Sequence, residues 1–192
     1  MTTDNPAPVG DSFKRIAPFL HAHEGGDNLA VASADAGGRT IYGISERAYP
    51  RAEYADFWQS PTWEKAEDIY RRDYYNRLEI WRHPLHYQAI LLDLAVNHGP
   101  HTGARIYQRG IGVDDDGVIG WRTITAAWER QERIGQLIAE RIKFYAGLVR
   151  RRPRDSQFSD GWTYRAVCLG LFALGLKSGE PVDPFGRACR GR

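Results

Sequence analysis

Few side chains in this 192-residue chain are placed by type and spacing to do chemistry, and Glu24 leads them. It follows Phe13 by 11 positions, and at about 100° per residue it returns to within about 20° of an apolar stripe built on Phe13, Ile16, Ala17 and Leu20. A carboxyl group is thereby aimed toward the core. Partial desolvation there penalises its charged form and raises its pKa, as a general acid working near neutral pH requires. The plainer reading is a helix-ending glutamate that reaches solvent, or pairs with Arg39 or with a helix N-terminal N–H. Asp93 and Asn97, four apart, share one helix face beside Leu91, Leu94 and Ala95, either edging a cleft or tying neighbouring helices together.

Other chemistries lack their machinery. The histidine pairs His21/His23, His83/His86 and His98/His101 invite a zinc reading, yet no H-E-x-x-H and no matching cysteine pair accompanies them, so no metal and no cofactor is expected. Asp114-Asp115-Asp116-Gly117 lacks the alternating ligands and closing Glu of a calcium loop and reads as a capped turn. No phosphate-binding G-x-x-x-x-G-K-[ST] and no G-x-S-x-G elbow occurs. Lys and Arg exceed Asp and Glu by 26 − 24 = 2, too few for a dedicated nucleic-acid binder. The basic runs at Arg150 to Arg154 and at Arg187, Arg190 and Arg192 suit an anionic wall or membrane surface, or simply solvated loops.

The elements that must position these groups are mostly helical. The stripe from Phe13 to Leu20 predicts a helix, weakened by Pro18 and stopped by Gly25-Gly26. Residues 27–45 predict an irregular loop with a short hairpin around Thr40-Ile41-Tyr42. Ser60-Pro61 reads as cap and first turn of a helix running to about Tyr75. Tyr87, Ile90, Leu91, Leu94 and Ala95 predict a central core helix closed by Gly99-Pro100. Another stripe runs from Ile134 to Leu148, and residues 162–176 are apolar nearly all round, as in a buried helix. The expected organisation is a loose arm over 1–10, a first region over 11–109, a second helical region over 110–178 packed on it, and a basic tail over 179–192.

The first 15 residues do not have the basic and apolar pattern of a signal peptide, and no apolar run approaches the roughly 20 residues that span a bilayer. Cys168 and Cys189 have no metal-like or redox-like spacing, and free thiols in a reducing cytosol are expected.

The segment His23-Glu24-Gly25-Gly26, then Asp35-Ala36-Gly37-Gly38-Arg39-Thr40 and Tyr42-Gly43-Ile44-Ser45, resembles the signature of glycoside hydrolase family 108. This is a lysozyme-like group of phage endolysins and secretion-activator muramidases. Ile69-Tyr70-Arg71 with Tyr74-Tyr75, and Asp93-Leu94-Ala95-Val96-Asn97-His98-Gly99-Pro100, are similar to further family motifs. Asp116-Gly117-Val118-Ile119-Gly120-Trp121-Arg122-Thr123 and Gly161-Trp162 with Arg165-Ala166 resemble the predicted peptidoglycan-binding region that follows. Asp27 stands where the family has an aromatic, and the interval from Glu24 to Asp35 is about two residues longer.

The resemblance implies a mainly α, α+β lysozyme-like fold, a helical body with a small β-hairpin and loop region beside a cleft. It maps Glu24 onto the catalytic glutamate of a peptidoglycan hydrolase. Glycoside hydrolysis commonly needs a second carboxylate to handle water or act as nucleophile. Asp35 is the candidate, with Thr40 orienting water, or else Asp35 is a turn residue and Thr40 packs in the hairpin. Tyr42, Asp93 and Asn97 are the candidate substrate-binding residues. The expected partner is bacterial peptidoglycan, cut between N-acetylmuramic acid and N-acetylglucosamine, by a monomer without nucleic acid or membrane insertion. A lytic transglycosylase and a non-catalytic wall-binding or phage structural protein are the alternatives. The expected deployment is an endolysin held in the host cytoplasm until a holin admits it to the wall.

Overall fold

The 14 residues of Leu85–His98 carry so continuous an apolar sequence that positions 86 to 95 are all buried, which makes this helix, α4, the axis of the body. The computed structural model describes residues 11–24 and 39–180. In order the elements are α1 (Ser12–His23), β1 (Thr40–Ile41), β2 (Ile44–Ser45), α2 (Ala55–Gln59), α3 (Trp63–Tyr70), α4, α5 (Pro100–Ile111), α6 (Trp121–Glu129), α7 (Ile134–Arg151) and α8 (Ser159–Ser178). The fold is mainly α, and the described residues form one two-stranded antiparallel sheet. Helices α1, α5 and α8 pack on α4, and α7 lies against α5 and α8.

Helix α1 buries the stripe read from the sequence, Phe13, Ile16, Ala17 and Leu20, with Phe19 beside it. Pro18 is tolerated because it lies on the solvent face, where water can serve the carbonyl whose N–H partner is missing. The helix ends on Glu24, whose N–H donates to the Leu20 carbonyl at 2.8 Å. The expected Gly25-Gly26 stop lies outside the described residues. The hairpin pairs Thr40 with Ser45 and Ile41 with Ile44, and Tyr42-Gly43 form its two-residue turn at φ +49° and +73°. Positive φ at both turn positions matches the twist of a tight hairpin.

Ser60 closes α2 instead of opening the next helix, and Thr62 caps α3 through its side-chain oxygen, which accepts from the Lys65 N–H at 3.4 Å. Beyond Tyr70 the helix widens into a π-helical segment, Arg71–Asn76. Residues five apart point about 140° from each other on an α-helix, and the wider turn lets both Tyr70 and Tyr75 face the core.

The expected boundary at 109/110 falls inside α5, which ends at Ile111 with Gly112 at φ +78°. Gly110 is a packing residue, since a Cβ there would lie 2.7 Å from the Leu137 Cα of α7. Helix α8 is buried on one side only. Val167, Leu171 and Leu174 remain about half exposed, because uniform apolarity says nothing about how many faces find a partner. Cys168 is disulfide-bonded, against the expectation of free thiols, while Cys189 lies outside the described residues.

Gly103 makes a helix contact at backbone distance, for a Cβ there would sit 2.7 Å from the backbone of Leu94 and Ala95 in α4. Gly103→Ala is expected to lower stability by about 1–3 kcal/mol through overpacking, read as a lower urea midpoint at unchanged slope. An unchanged midpoint would mean that α4 and α5 approach less closely.

Candidate active site

Glu24 ends α1 beside the hairpin turn, with its side chain 16% exposed, enough to meet a ligand and too little to be fully hydrated. The partner it finds is neither Arg39 nor a helix N-terminus. Arg165 of α8, 141 residues away, donates through Nη2 to Glu24 Oε1 at 2.6 Å. The other oxygen borders the turn, where a Cβ on Gly43 would lie 2.5 Å from Oε2. Gly43 is exposed, and a side chain at this position would crowd that oxygen. Tyr70, buried below, fixes the same turn by donating its hydroxyl to the Tyr42 carbonyl at 2.8 Å.

Arg165 is itself held. Its Nε and Nη2 donate to Asp93 Oδ1 at 3.1 and 2.7 Å, and Nη1 reaches the His23 carbonyl at 3.3 Å. Asp93 spends its second oxygen on Arg141 of α7, whose Nε donates to the Tyr145 hydroxyl at 2.7 Å. The ladder Tyr145, Arg141, Asp93, Arg165, Glu24 thus joins α7, α4, α8 and α1. With Glu24 ionised, its two carboxylates balance its two guanidinium groups.

The electrostatics follow from this. Burial pushes the Glu24 carboxyl above its ordinary range and Arg165 opposes the rise without cancelling it. Burial also acts against the charge on Asp93, but Arg141 and Arg165 outweigh it and hold that carboxyl below the usual range. Burial disfavours the Arg165 charge as well, and Asp93 and Glu24 more than restore it. The two carboxyl groups are driven apart, one toward keeping its proton and one toward losing it.

Asp93 therefore does not line a cleft. At 1% exposure it is an internal counterion, since any other arrangement would leave two buried guanidinium groups uncompensated. Asn97 is exposed at the end of α4, and its Nδ2 donates to the Asp93 carbonyl at 2.9 Å. Thr40 is half-buried in β1, opposite Ser45. Tyr42 is half-buried, edge-on to Trp63 at 6.2 Å between ring centroids. Asp35 lies outside the described residues.

Sequence reasoning assigned no role to Arg165, Arg141 or Gly43. The closing G-W-x-x-R motif marked Arg165, and Arg141 stands four residues after Leu137 on the buried stripe, where a charge calls for a buried partner. Several histidines are spent on packing. His83 Nδ1 lies 2.8 Å from the Tyr107 hydroxyl, and the His98 ring packs on Phe144 and Tyr145. Burial lowers both imidazoles, to about 3 for His83 and about 4 for His98. Among the described residues no group of three or more potential ligands is gathered for a metal ion.

Asp93→Asn is expected to cost about 3–5 kcal/mol, because it removes one side of a buried ion cluster. In the native protein this stabilisation is complete above the ordinary Asp value of 3.8 and is lost as pH falls below it, since the folded-state value is the lower one. Urea melts of both proteins between pH 3 and 7 measure it, and a variant as stable as wild type at pH 7 would remove the cluster from the account. Gly43→Ala meets both a left-handed φ and the Glu24 carboxyl, and is expected to lower activity well beyond its effect on the melting temperature.

The glycosyl hydrolase 108 family matches residues 17–99, and the predicted peptidoglycan domain matches residues 102–167. Among solved structures, SagA of Brucella abortus superposes with a TM-score of 0.70 at 29% identity, over 86% of this chain and 95% of that one. No curated protein matches the sequence. Glu24, Gly43, Tyr70 and Asp93 fall within the first match and Arg141 and Arg165 within the second, so the site is assembled from both. Residues 17–99 of the chain are thus similar to the glycosyl hydrolase 108 family, and residues 102–167 to the predicted peptidoglycan domain.

Proposed function

We propose that this protein hydrolyses the β-1,4 bond between N-acetylmuramic acid and N-acetylglucosamine in peptidoglycan, with Glu24 as the general acid. The two family matches support a peptidoglycan hydrolase at the coarser level. The observation that carries the finer reading is the Glu24 carboxyl, which is enclosed enough to favour its neutral form, anchored through one oxygen and open through the other. Such a group keeps its proton to higher pH than an ordinary glutamate does and can deliver it to a leaving glycosidic oxygen across Gly43.

Arg165 keeps the carboxyl oriented in both states, since its N–H serves a neutral carbonyl oxygen as well as a carboxylate. After proton transfer it also offsets the charge left on Glu24. Asp93 is too deeply buried and too firmly paired to be the second carboxylate. That role stays with Asp35, and Thr40, three residues before Gly43 on the hairpin, is the candidate to orient water. Asn97 offers its exposed amide to an N-acetyl group, and Tyr42 an aromatic edge to a sugar.

Deployment as an endolysin that a holin admits to the wall rests on the family resemblance. The disulfide on Cys168 fits work on the oxidising side of the membrane. Among the described residues no helix is long and apolar enough to cross a membrane.

Mass spectrometry of soluble products from purified peptidoglycan tests the reaction. Wild type is expected to release fragments with reducing muramic acid ends, and Glu24→Gln, which keeps the shape without the acid, to lose at least about 100-fold in rate. Anhydromuramic ends would make the enzyme a transglycosylase, and no products from wild type would leave a binding protein. Because the Glu24 pKa is raised, the alkaline limb of activity should lie above the ordinary glutamic acid range, with activity lost as pH rises through it.

A further inference from the structure

A second concavity lies between the loop that follows α5 and the start of α6, and its lining includes none of the residues of the Glu24 site. It encloses about 350 Å³ between Val113, Asp114, Asp116, Val118, Trp121 and Arg122, over a floor of Gln108 and Thr123. The floor is rigid. The buried Gln108 amide accepts from the Gly117 N–H at 2.8 Å and donates to Asp116 Oδ1 at 2.7 Å, to the Val118 carbonyl at 3.0 Å and to Thr123 Oγ1 at 3.2 Å. Asp115 points away from it, fastened to Arg105 and Arg109 at 3.0 and 2.6 Å. The rim carries two large exposed apolar side chains among charged ones. Trp121 is 69% exposed and Val118 65%, and a Cβ on Gly120 would meet nothing within 4 Å.

We propose that this pocket is a second saccharide-binding site, taking one stretch of a peptidoglycan glycan strand while another occupies the Glu24 cleft. The proposal rests on the peptidoglycan reading above and adds where the second region grips. An exposed indole offers the flat apolar face on which the C–H side of a pyranose packs. Asp114 and Asp116 supply acceptors for ring hydroxyls, and Arg122, whose guanidinium lies 5.6 Å from the Trp121 ring centroid, supplies donors for an acetamido carbonyl. Acceptors and donors around an aromatic face fit a polyhydroxylated, largely uncharged chain. A polyanionic wall polymer would meet the Asp114 and Asp116 carboxylates instead.

The test uses the full chain carrying Glu24→Gln, so that bound strands are not consumed, with and without Trp121→Ala. Probes are glycan strands stripped of stem peptides, and the stem peptides alone. Nuclear magnetic resonance should show the Trp121 indole N–H signal, identified by its loss in the variant, shifting with stripped strands and not with peptides. Isothermal titration should show affinity for stripped strands falling roughly tenfold in Trp121→Ala, as for removal of one aromatic anchor. An unchanged melting temperature would confirm that the exposed indole is not structural. Equal affinity in the two proteins, an indole signal that does not move, or a response to stem peptides alone would overturn the proposal while leaving the catalytic reading intact. Failure of wild type to cleave peptidoglycan would instead strike the reading on which this one rests.

Discussion

The structure depends on one buried carboxylate. Asp93 lies at the centre of the core helix with a guanidinium on either side, and neither arginine could stay buried without it. Because Arg141 comes from α7 and Arg165 from α8, this single charge pins the second half of the chain to the first. Because Arg165 continues to Glu24, the same charge also sets the electrostatic state of the surface acid. Stability and chemistry thus share a circuit, with the deep carboxyl biased toward losing its proton and the shallow one toward keeping it.

The rest of the fold serves that arrangement by close approach. Gly103 and Gly110 let α5 lie against α4 and α7 at backbone contact, which brings α7 near enough for Arg141 to reach Asp93. The hairpin is only four paired residues long, yet its glycine turn and the Tyr70 hydroxyl set the outer wall of the acid's surroundings. Helix α5 starts where the first family match ends, and the acid of the first region is oriented by an arginine of the second. Neither region alone contains a complete site.

Much of this was legible in the sequence. Apolar periodicity located α1, α4 and α7, and the spacing from Phe13 to Glu24 aimed the acid inward, because a helix fixes direction by arithmetic alone. Asp93 and Asn97 were correctly placed on one face, but spacing does not say whether a face meets solvent, and for Asp93 it meets two arginines. Nothing in the sequence signals that Gly110 lies against α7, since a glycine that ends a helix and one that admits a neighbour look alike until the neighbour is seen. Helix α8 read as wholly buried because composition carries no information about a missing partner. Arg165 lies 141 residues from Glu24, and no local pattern expresses a contact over that distance.

Burial raises the Glu24 carboxyl, and an arginine from the second region restrains that rise. The most direct measurement is a ¹³C titration of the Glu24 side-chain carboxyl by nuclear magnetic resonance in wild type and in Arg165→Gln. The account predicts a wild-type pKa above the ordinary glutamic acid value, and a further rise when the guanidinium is removed and burial acts unopposed. A wild-type value at or below the ordinary one, or a value indifferent to Arg165→Gln, would contradict it.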